Sequence, residues 1–352
     1  MGRLRNNELE RPMPITPTKV VWKNGKFIPF QKATTHVLSH VIHYGSGWFE
    51  GIRAYNTPKG TAIFRLADHT KRFHQSLKIY RSAIPHSVEE LNTAVIALLQ
   101  KNGLTQAYIR PFAFRGFGDM GVYPMNNPLE VYVAAWEWGA YLGDLAAEVG
   151  VDVCVSSWDR ITPNSLPSIS KAAGNYMNSQ LVKMEAIENG YAEGICLDTY
   201  GNVAEGSGQN VFVVADGVII TPPAANSILP GITRDSVVVL AESLGYQIRE
   251  ANISRAMLYT ADEMFLTGTA VEITPVRSVD RIAVGKGKVG PVTRKIQKAF
   301  AQITVEGNDP YGWLTIVPEA KAPVKKKSAA ATARKPAAAA KNARTNSKRR
   351  TT

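Results

Sequence analysis

Eleven Lys and Arg residues, and not one Asp or Glu, occupy residues 321–352, and this segregation of charge bounds what can fold. The rest of that segment is Ala, Pro, Ser, Thr and Asn, with Val324 its only large aliphatic side chain and no aromatic ring. Such a composition buries too little apolar surface to offset the entropy of ordering the backbone. It predicts a disordered basic tail over 317–352. The net charge of +12 sits almost wholly there, since residues 1–320 hold 30 basic and 29 acidic side chains. The folding body is near neutral, ends near Ile316, and at about 150 residues per domain has room for two.

Other classes are excluded by what is missing. No apolar run reaches the ~18–20 residues of a membrane span. The opening Met-Gly-Arg-Leu-Arg-Asn-Asn-Glu has no apolar core of a secretory leader, and Glu8 and Glu10 argue against a transit peptide. Cys154 and Cys196 are the only cysteines, too few for a disulfide scaffold or a Cys-rich metal site. The expectation is a reduced, cytoplasmic protein.

Helix and strand patterns alternate along the body, with no internal repeat. Ser87-Val-Glu-Glu90 reads as a capping box before Leu91, Val95 and Leu98, with Gly103 as the stop. Met177, Leu181, Met184 and Ile187 predict a second helix with that stripe inward, and Thr233–Leu244 a third, ended by Gly245. Strand patterns fall at Val131–Ala135, at alternating Val151, Val153 and Val155, at Asn210–Val214 and at Glu263–Leu266. The break at Trp138–Gly143 reads as a linker between domains.

Lys171 is the only charged side chain between Ile161 and Val182, and small residues surround it. Desolvation there would favour the neutral amine that Schiff-base chemistry needs; the alternative is a lysine that snorkels outward from a loop. Glu205, followed by Gly206 and Gly208, either faces a cofactor from a tight turn or tips a solvated hairpin. Gly231-Ile-Thr233 before a helix offers backbone N–H groups and a hydroxyl to a phosphate, or only a Thr N-cap. Gly285-Lys-Gly-Lys-Val-Gly290 spells a dinucleotide fingerprint, but too little body follows it, so it reads as a Gly-rich hairpin. His36, His40 and His43 have metal-like spacing without a His-Glu pair, and no metal is expected. Cys154 and Cys196 read as small buried residues.

Several of these segments combine into one ordered pattern. Glu205-x-Ser207-x-x-Asn210-Val-Phe212, Ile219-x-Thr221 and Leu229-x-Gly231-Ile-x-Arg234 resemble the signature of class-IV pyridoxal-phosphate aminotransferases. His43-Tyr-Gly45, Phe49–Tyr55, Tyr108-Ile-Arg-Pro111, Gly118–Val122, Trp138–Tyr141, Lys171–Tyr176, Gly268-Thr-Ala270 and Ile273–Asp280 sharpen this to the branched-chain-amino-acid aminotransferases. The resemblance runs from about Val20 to Leu314. The basic tail departs from it, because the family usually ends near Trp313.

The resemblance implies an α+β, two-domain fold of the D-amino-acid-aminotransferase type. It has a smaller N-terminal α/β domain (1–140), an interdomain loop (141–145) and a larger cofactor-binding domain (146–316). It implies pyridoxal 5′-phosphate with Lys171 as the Schiff-base and proton-shuttling lysine, Glu205 on the pyridine nitrogen and Tyr176 on the ring oxygen. Arg72, Ile232, Thr233 and Thr269 would cup the phosphate. Tyr44, Phe49, Trp138, Tyr141 and Val122 would wall the substrate pocket, with Val122 reaching across a dimer interface. Tyr108, Arg110 and the Thr269–Ala270 backbone would bind carboxylates, supported by Arg53. The implied reaction is ping-pong transfer of the amino group of leucine, isoleucine or valine to 2-oxoglutarate, by a homodimer or hexamer. A D-amino-acid aminotransferase or aminodeoxychorismate lyase is the rival within the fold. A nucleic-acid-associated protein working through its tail is the rival outside it.

Overall fold

The computed structural model describes residues 15–138 and 145–319, and those up to Glu319 belong to one compact unit. Residues 141–144 of the expected interdomain loop and the tail from 320 lie outside the described residues. No described helix is long and apolar enough to cross a membrane.

The first part of the chain supplies strands β1 (Val20–Lys23), β2 (Lys26–Pro29), β3 (Gly47–Phe49), β4 (Ile52–Thr57), β5 (Gly60–Phe64), β6 (Ala107–Arg115) and β7 (Leu129–Trp136). All pairings among them are antiparallel, in the order β5-β4-β6-β7-β1-β2 with β3 beside β6. Helices α1 (His40–Tyr44), α2 (Leu66–Ile79) and α3 (Val88–Asn102) accompany this sheet. The capping box forms as expected. Ser87 Oγ accepts from Glu90 N at 3.1 Å, Glu90 Oε2 accepts from Ser87 N at 2.7 Å, and Gly103 ends α3 at φ 71°. Leu91, Val95 and Leu98 then pack with Ile52, Phe73 and Val133 into the first core.

After α4 (Ala146–Val149) come β8 (Val151–Val155), α5 (Tyr176–Glu188), β9 (Glu193–Leu197), β10 (Val203–Gly206), β11 (Asn210–Ala215) and β12 (Val218–Thr221). Then follow α6 (Ile232–Ser243), β13 (Gln247–Glu250), α7 (Arg255–Thr260), β14 (Glu263–Gly268), β15 (Glu272–Val279), β16 (Ile282–Ala283) and α8 (Pro291–Thr304). Strands β8–β16 form a mixed sheet ordered β10-β9-β8-β15-β14-β11-β12-β13, and β10 pairs with β11 as well. Six strands thus close on themselves around Val153, Ile195, Val203, Val213 and Leu266. Glu205 sits at that closure, opposite Asn210. A final strand, β17 (Leu314–Ile316), returns to the first sheet beside β5. Tyr55 and Phe64 of the first sheet share a third core with Phe212, Val237 and Phe300.

Two expectations are corrected. Helix α5 forms where periodicity places it, but it buries Ser179, Val182 and Ala186, while Met177 and Met184 are exposed. Small side chains face inward because β9 lies close: a Cβ on Gly194 would meet Val182 Cγ1 at 2.7 Å. The run Gly285–Gly290 is not a hairpin turn. The turn is Asp280-Arg281, both at positive φ, and the glycines connect β16 to α8, whose N-cap is Gly290.

Candidate active site

Lys171 belongs to the connection from β8 to α5, yet its backbone is bonded to the first sheet. Phe49 N–H donates to its carbonyl at 3.1 Å, its own N–H donates to Ser76 Oγ at 2.9 Å, and Trp48 bridges to Ala172. The amine points into a cavity of about 630 Å3 and donates to Tyr176 Oη at 2.8 Å. Tyr176 opens α5, so the tyrosine is fixed by the helix that follows the lysine. Phe49 stands beside both, its ring 5.2 Å from the amine and 4.7 Å from the Tyr176 ring.

Glu205 is buried and lines the same cavity. Its Oε1 accepts from Arg160 Nε at 2.9 Å; its Oε2 accepts from Asn210 Nδ2 at 3.2 Å and Leu229 N at 3.0 Å. Burial pushes its carboxyl above the ordinary value, against the opposing pull of the Arg160 guanidinium. Asn210 also donates to Leu229 O at 2.9 Å, which holds the chain just before Gly231. No side chain fits at Gly231, because a Cβ would lie 2.0 Å from Asn210 Oδ1. Gly231 caps α6, so the N–H groups of Ile232 and Thr233 open the helix at the cavity wall, as an anion site requires. Two arginines of the first sheet's side reach this turn. Arg72 Nη1 donates to Pro230 O at 2.9 Å, and Arg65 donates to Ile232 O, Ser236 Oγ and Asp235.

Tyr108, Arg110 and Trp138 line another stretch of the cavity with Thr269 and Ala270. The Arg110 guanidinium lies 4.6 Å from the Phe49 ring centre and 5.3 Å from that of Tyr108. Its Nε is buried with no hydrogen-bond partner among the described residues. Gly51 gives Tyr108 its place: a Cβ there would lie 1.9 Å from the phenol oxygen.

The structure thus gathers Phe49, Arg72, Tyr108, Arg110, Trp138, Lys171, Tyr176, Glu205, Ile232, Thr233, Thr269 and Ala270 around one cavity. It does not bring Tyr44, Arg53 or Val122 to that wall. Tyr44 stacks on His40 at 4.4 Å and is half exposed. Arg53 is buried beside Tyr108, its register partner, and pairs with Glu272 at 3.2 Å. Val122 is 88% exposed. Tyr141 lies outside the described residues. The histidines have ordinary partners: His40 bonds Ser46 Oγ and Gly121 O, His43 bonds Val37 O, and His36 accepts from Leu38 N. Among the described residues no group of three or more His, Cys, Asp or Glu is placed for a metal. Both cysteines are buried in strands, and burial pushes each thiol up to about 12.

Sequence reasoning missed Arg160, Glu50 and His69, and gave Asn210 no task. Glu50 and Asn210 stand inside motifs that the sequence displays; Arg160 is 45 residues from its partner, and no spacing rule joins them.

Residues 47–279 match the family model of class IV amino-transferases. The chain belongs to that family. It is 51% identical over 296 residues to the branched-chain-amino-acid aminotransferase of Escherichia coli K12, covering 84% of this chain and 96% of the relative. A crystal structure of the E. coli enzyme superposes with a TM-score of 0.84 at 50% identity, over 86% of this chain and all of that one. The branched-chain amino acid aminotransferase of Thermobaculum terrenum, solved in its pyridoxal-phosphate holo-form, superposes with a TM-score of 0.80 at 36% identity. That match covers 86% of this chain and 99% of the other.

The Arg160–Glu205 pair yields a prediction for the cofactor-free protein. Removing one partner of a buried pair costs about 3–5 kcal/mol. A carboxyl whose folded value is raised binds protons more readily folded than unfolded, so its penalty grows as pH rises past the usual 4.5. Arg160→Met should therefore lose more stability at about pH 7.5 than at about pH 5 in urea unfolding. Equal losses at both would show that Arg160 does not hold the Glu205 charge.

Proposed function

We propose that this chain is a pyridoxal-phosphate-dependent branched-chain-amino-acid aminotransferase. It moves the amino group of leucine, isoleucine or valine to 2-oxoglutarate in two half-reactions that share one pocket. The observation that carries this reading is the convergence of the Lys171 amine, the Glu205 carboxylate and the α6 N-terminus on one cavity that also holds Arg110 among aromatic rings. The D-amino-acid aminotransferase and lyase alternatives are not favoured, since the relatives matched at about 50% identity carry the branched-chain name.

The donor set fits the cofactor. Pyridoxal phosphate, when bound, supplies an aldehyde that takes up amino groups and a ring that withdraws electrons from the substrate α-carbon. Ile232 and Thr233 N–H groups, the Thr233 and Thr269 hydroxyls and Arg72 would hold its phosphate. Glu205 would hold the proton on the ring nitrogen, and Tyr176 Oη would bond the ring oxygen. Lys171 Nζ would be the attachment point and would then serve as the base toward the substrate α-proton. Phe49 and Trp138 exclude water from an aliphatic side chain, and Tyr108 with the Thr269–Ala270 backbone orients the α-carboxylate. Arg110, with its unpartnered Nε, takes the second carboxylate of glutamate.

The two domains divide at 141–145 and follow the two sheets except for β17, which returns from the second part of the chain to the first sheet. The active form is a homodimer or a hexamer. Val37, Ile42, Phe117, Val122 and Tyr123 are exposed on α1, the segment just before it and the 116–128 loop, a surface that a second copy would cover. That contact would place Tyr44 and Val122 at the neighbour's pocket, with Tyr141 completing the wall and Arg53 backing it. Two cysteines, both free and buried and too few for a disulfide scaffold, support a cytoplasmic setting. The eleven cations of residues 321–352 give the protein a second surface for polyanions such as DNA or RNA, without sequence readout.

Three experiments test these assignments. Lys171→Ala should abolish both the visible absorbance of the purified protein and most turnover; a wild-type spectrum with a near-normal rate removes Lys171 from the mechanism. Arg110→Met should cost ~1.5–3 kcal/mol, roughly ten- to 150-fold, in the single-turnover half-reaction with glutamate, and less with leucine. Equal losses would instead assign Arg110 to the shared α-carboxylate. Deleting 321–352 should leave transamination unchanged and abolish salt-sensitive retention on heparin, whereas retention by the shortened chain defeats the tail assignment.

A further inference from the structure

The arginine of the proposed phosphate cup is gripped by a carboxylate that has no task in the mechanism above. Glu50 is fully buried between β3 and β4, and its own N–H donates to Pro111 O at 2.9 Å. Its Oε1 accepts from Arg72 Nε and its Oε2 from Arg72 Nη2, both at 2.8 Å, so the pair is bidentate and the guanidinium plane is fixed. His69 Nδ1 adds a third bond to Oε2 at 2.8 Å. Nη1 of Arg72, which Glu50 does not engage, donates to Pro230 O at 2.9 Å, immediately before Gly231 and the opening of α6. One carboxylate therefore orients the arginine from below while the arginine reaches the turn that presents the α6 N–H groups.

We propose that Glu50 is the positioning residue of the phosphate cup: it holds the Arg72 guanidinium in the one plane and direction that serve a phosphate ester beside Ile232 and Thr233. This rests on the reading that the cup takes the cofactor phosphate. It also sets two effects against each other. As a buried negative charge behind Arg72, Glu50 weakens the cup's attraction for an anion, so charge alone predicts that removing it tightens phosphate binding. Orientation predicts the reverse. The pair is worth keeping only if geometry outweighs charge, because a long unheld arginine must be ordered at each binding event.

The test uses the full-length chain freed of cofactor and titrated, by tryptophan fluorescence, with pyridoxal 5′-phosphate and with pyridoxal, which lacks the phosphate. Glu50→Gln should weaken pyridoxal phosphate at least about ten-fold and pyridoxal less than about two-fold. Arg72→Met should do the same, and the double variant should bind no worse than Arg72→Met alone, because Glu50 acts through Arg72. Unchanged or tighter phosphate binding by Glu50→Gln, equal losses for both ligands, or additive losses in the double variant would each overturn the proposal. If a thermal melt shows Glu50→Gln unfolded, Glu50→Asp, which keeps the charge but falls one methylene short, carries the same expectations. A wild-type chain that binds pyridoxal as tightly as pyridoxal phosphate overturns the phosphate reading itself. Failure of the Glu50 variants alone leaves that reading standing.

Discussion

The backbone of Lys171 is hydrogen-bonded to the first sheet although the residue comes from the connection between β8 and α5, and the site depends on that seam. Phe49 N–H, Ser76 Oγ and the Trp48–Ala172 bridge hold the segment from both sides. Ser170 Oγ adds a bond to Ser76 O at 3.1 Å. These contacts decide which wall the amine faces: Phe49, Tyr108 and Arg110 from one sheet, Tyr176 and Glu205 from the other side. The same seam carries Arg65 and Arg72 from α2 to the first turn of α6. A lysine, the N-terminus of α6 and an aromatic wall become one cavity because the chain crosses there.

Two buried carboxylates, Glu205 on the cavity wall and Glu50 behind Arg72, meet an arginine each and end in different states. Burial raises Glu50, but Arg72 through two bonds and His69 through a third outweigh it and hold the carboxyl well below the usual range. Glu205 has one bond from Arg160 and two from neutral donors, and there burial prevails. The number of hydrogen bonds from the guanidinium, two to Glu50 and one to Glu205, separates them. Glu50 is fixed as a charge, which suits a part that orients. Burial leaves the Glu205 carboxyl above its ordinary value despite Arg160.

Much of the fold was legible locally. Ser87 and Glu90 start α3 because side chains close the free N–H groups of that turn, and glycines at 103 and 245 end helices at positive φ. The strand runs around Val131, Val153, Asn210 and Glu263 appear where β-branched and aromatic residues recur. Reading failed where packing overrode hydrophobicity. In α5 the small face of Ser179, Val182 and Ala186 is buried and the methionines are outside, because only small side chains fit against Gly194. The glycines at 285–290 resemble a turn in composition, yet the turn is made by Asp280 and Arg281.

The sequence by itself determined the elements, the neutrality of the body, the basic end, and which residues belong to one ordered set of motifs. Periodicity, capping and composition act over a few residues, so a single string displays them. Tertiary structure alone decided which groups answer one another: Glu50 with Arg72, Arg160 with Glu205, Arg72 with Pro230, separated by 22, 45 and 158 positions. It also decided that Tyr44 and Val122 stand outside the cavity of a single chain. The first two pairings form within one part of the chain and the third between the two parts, and no local pattern encodes them, because desolvation and charge act through space rather than along the chain.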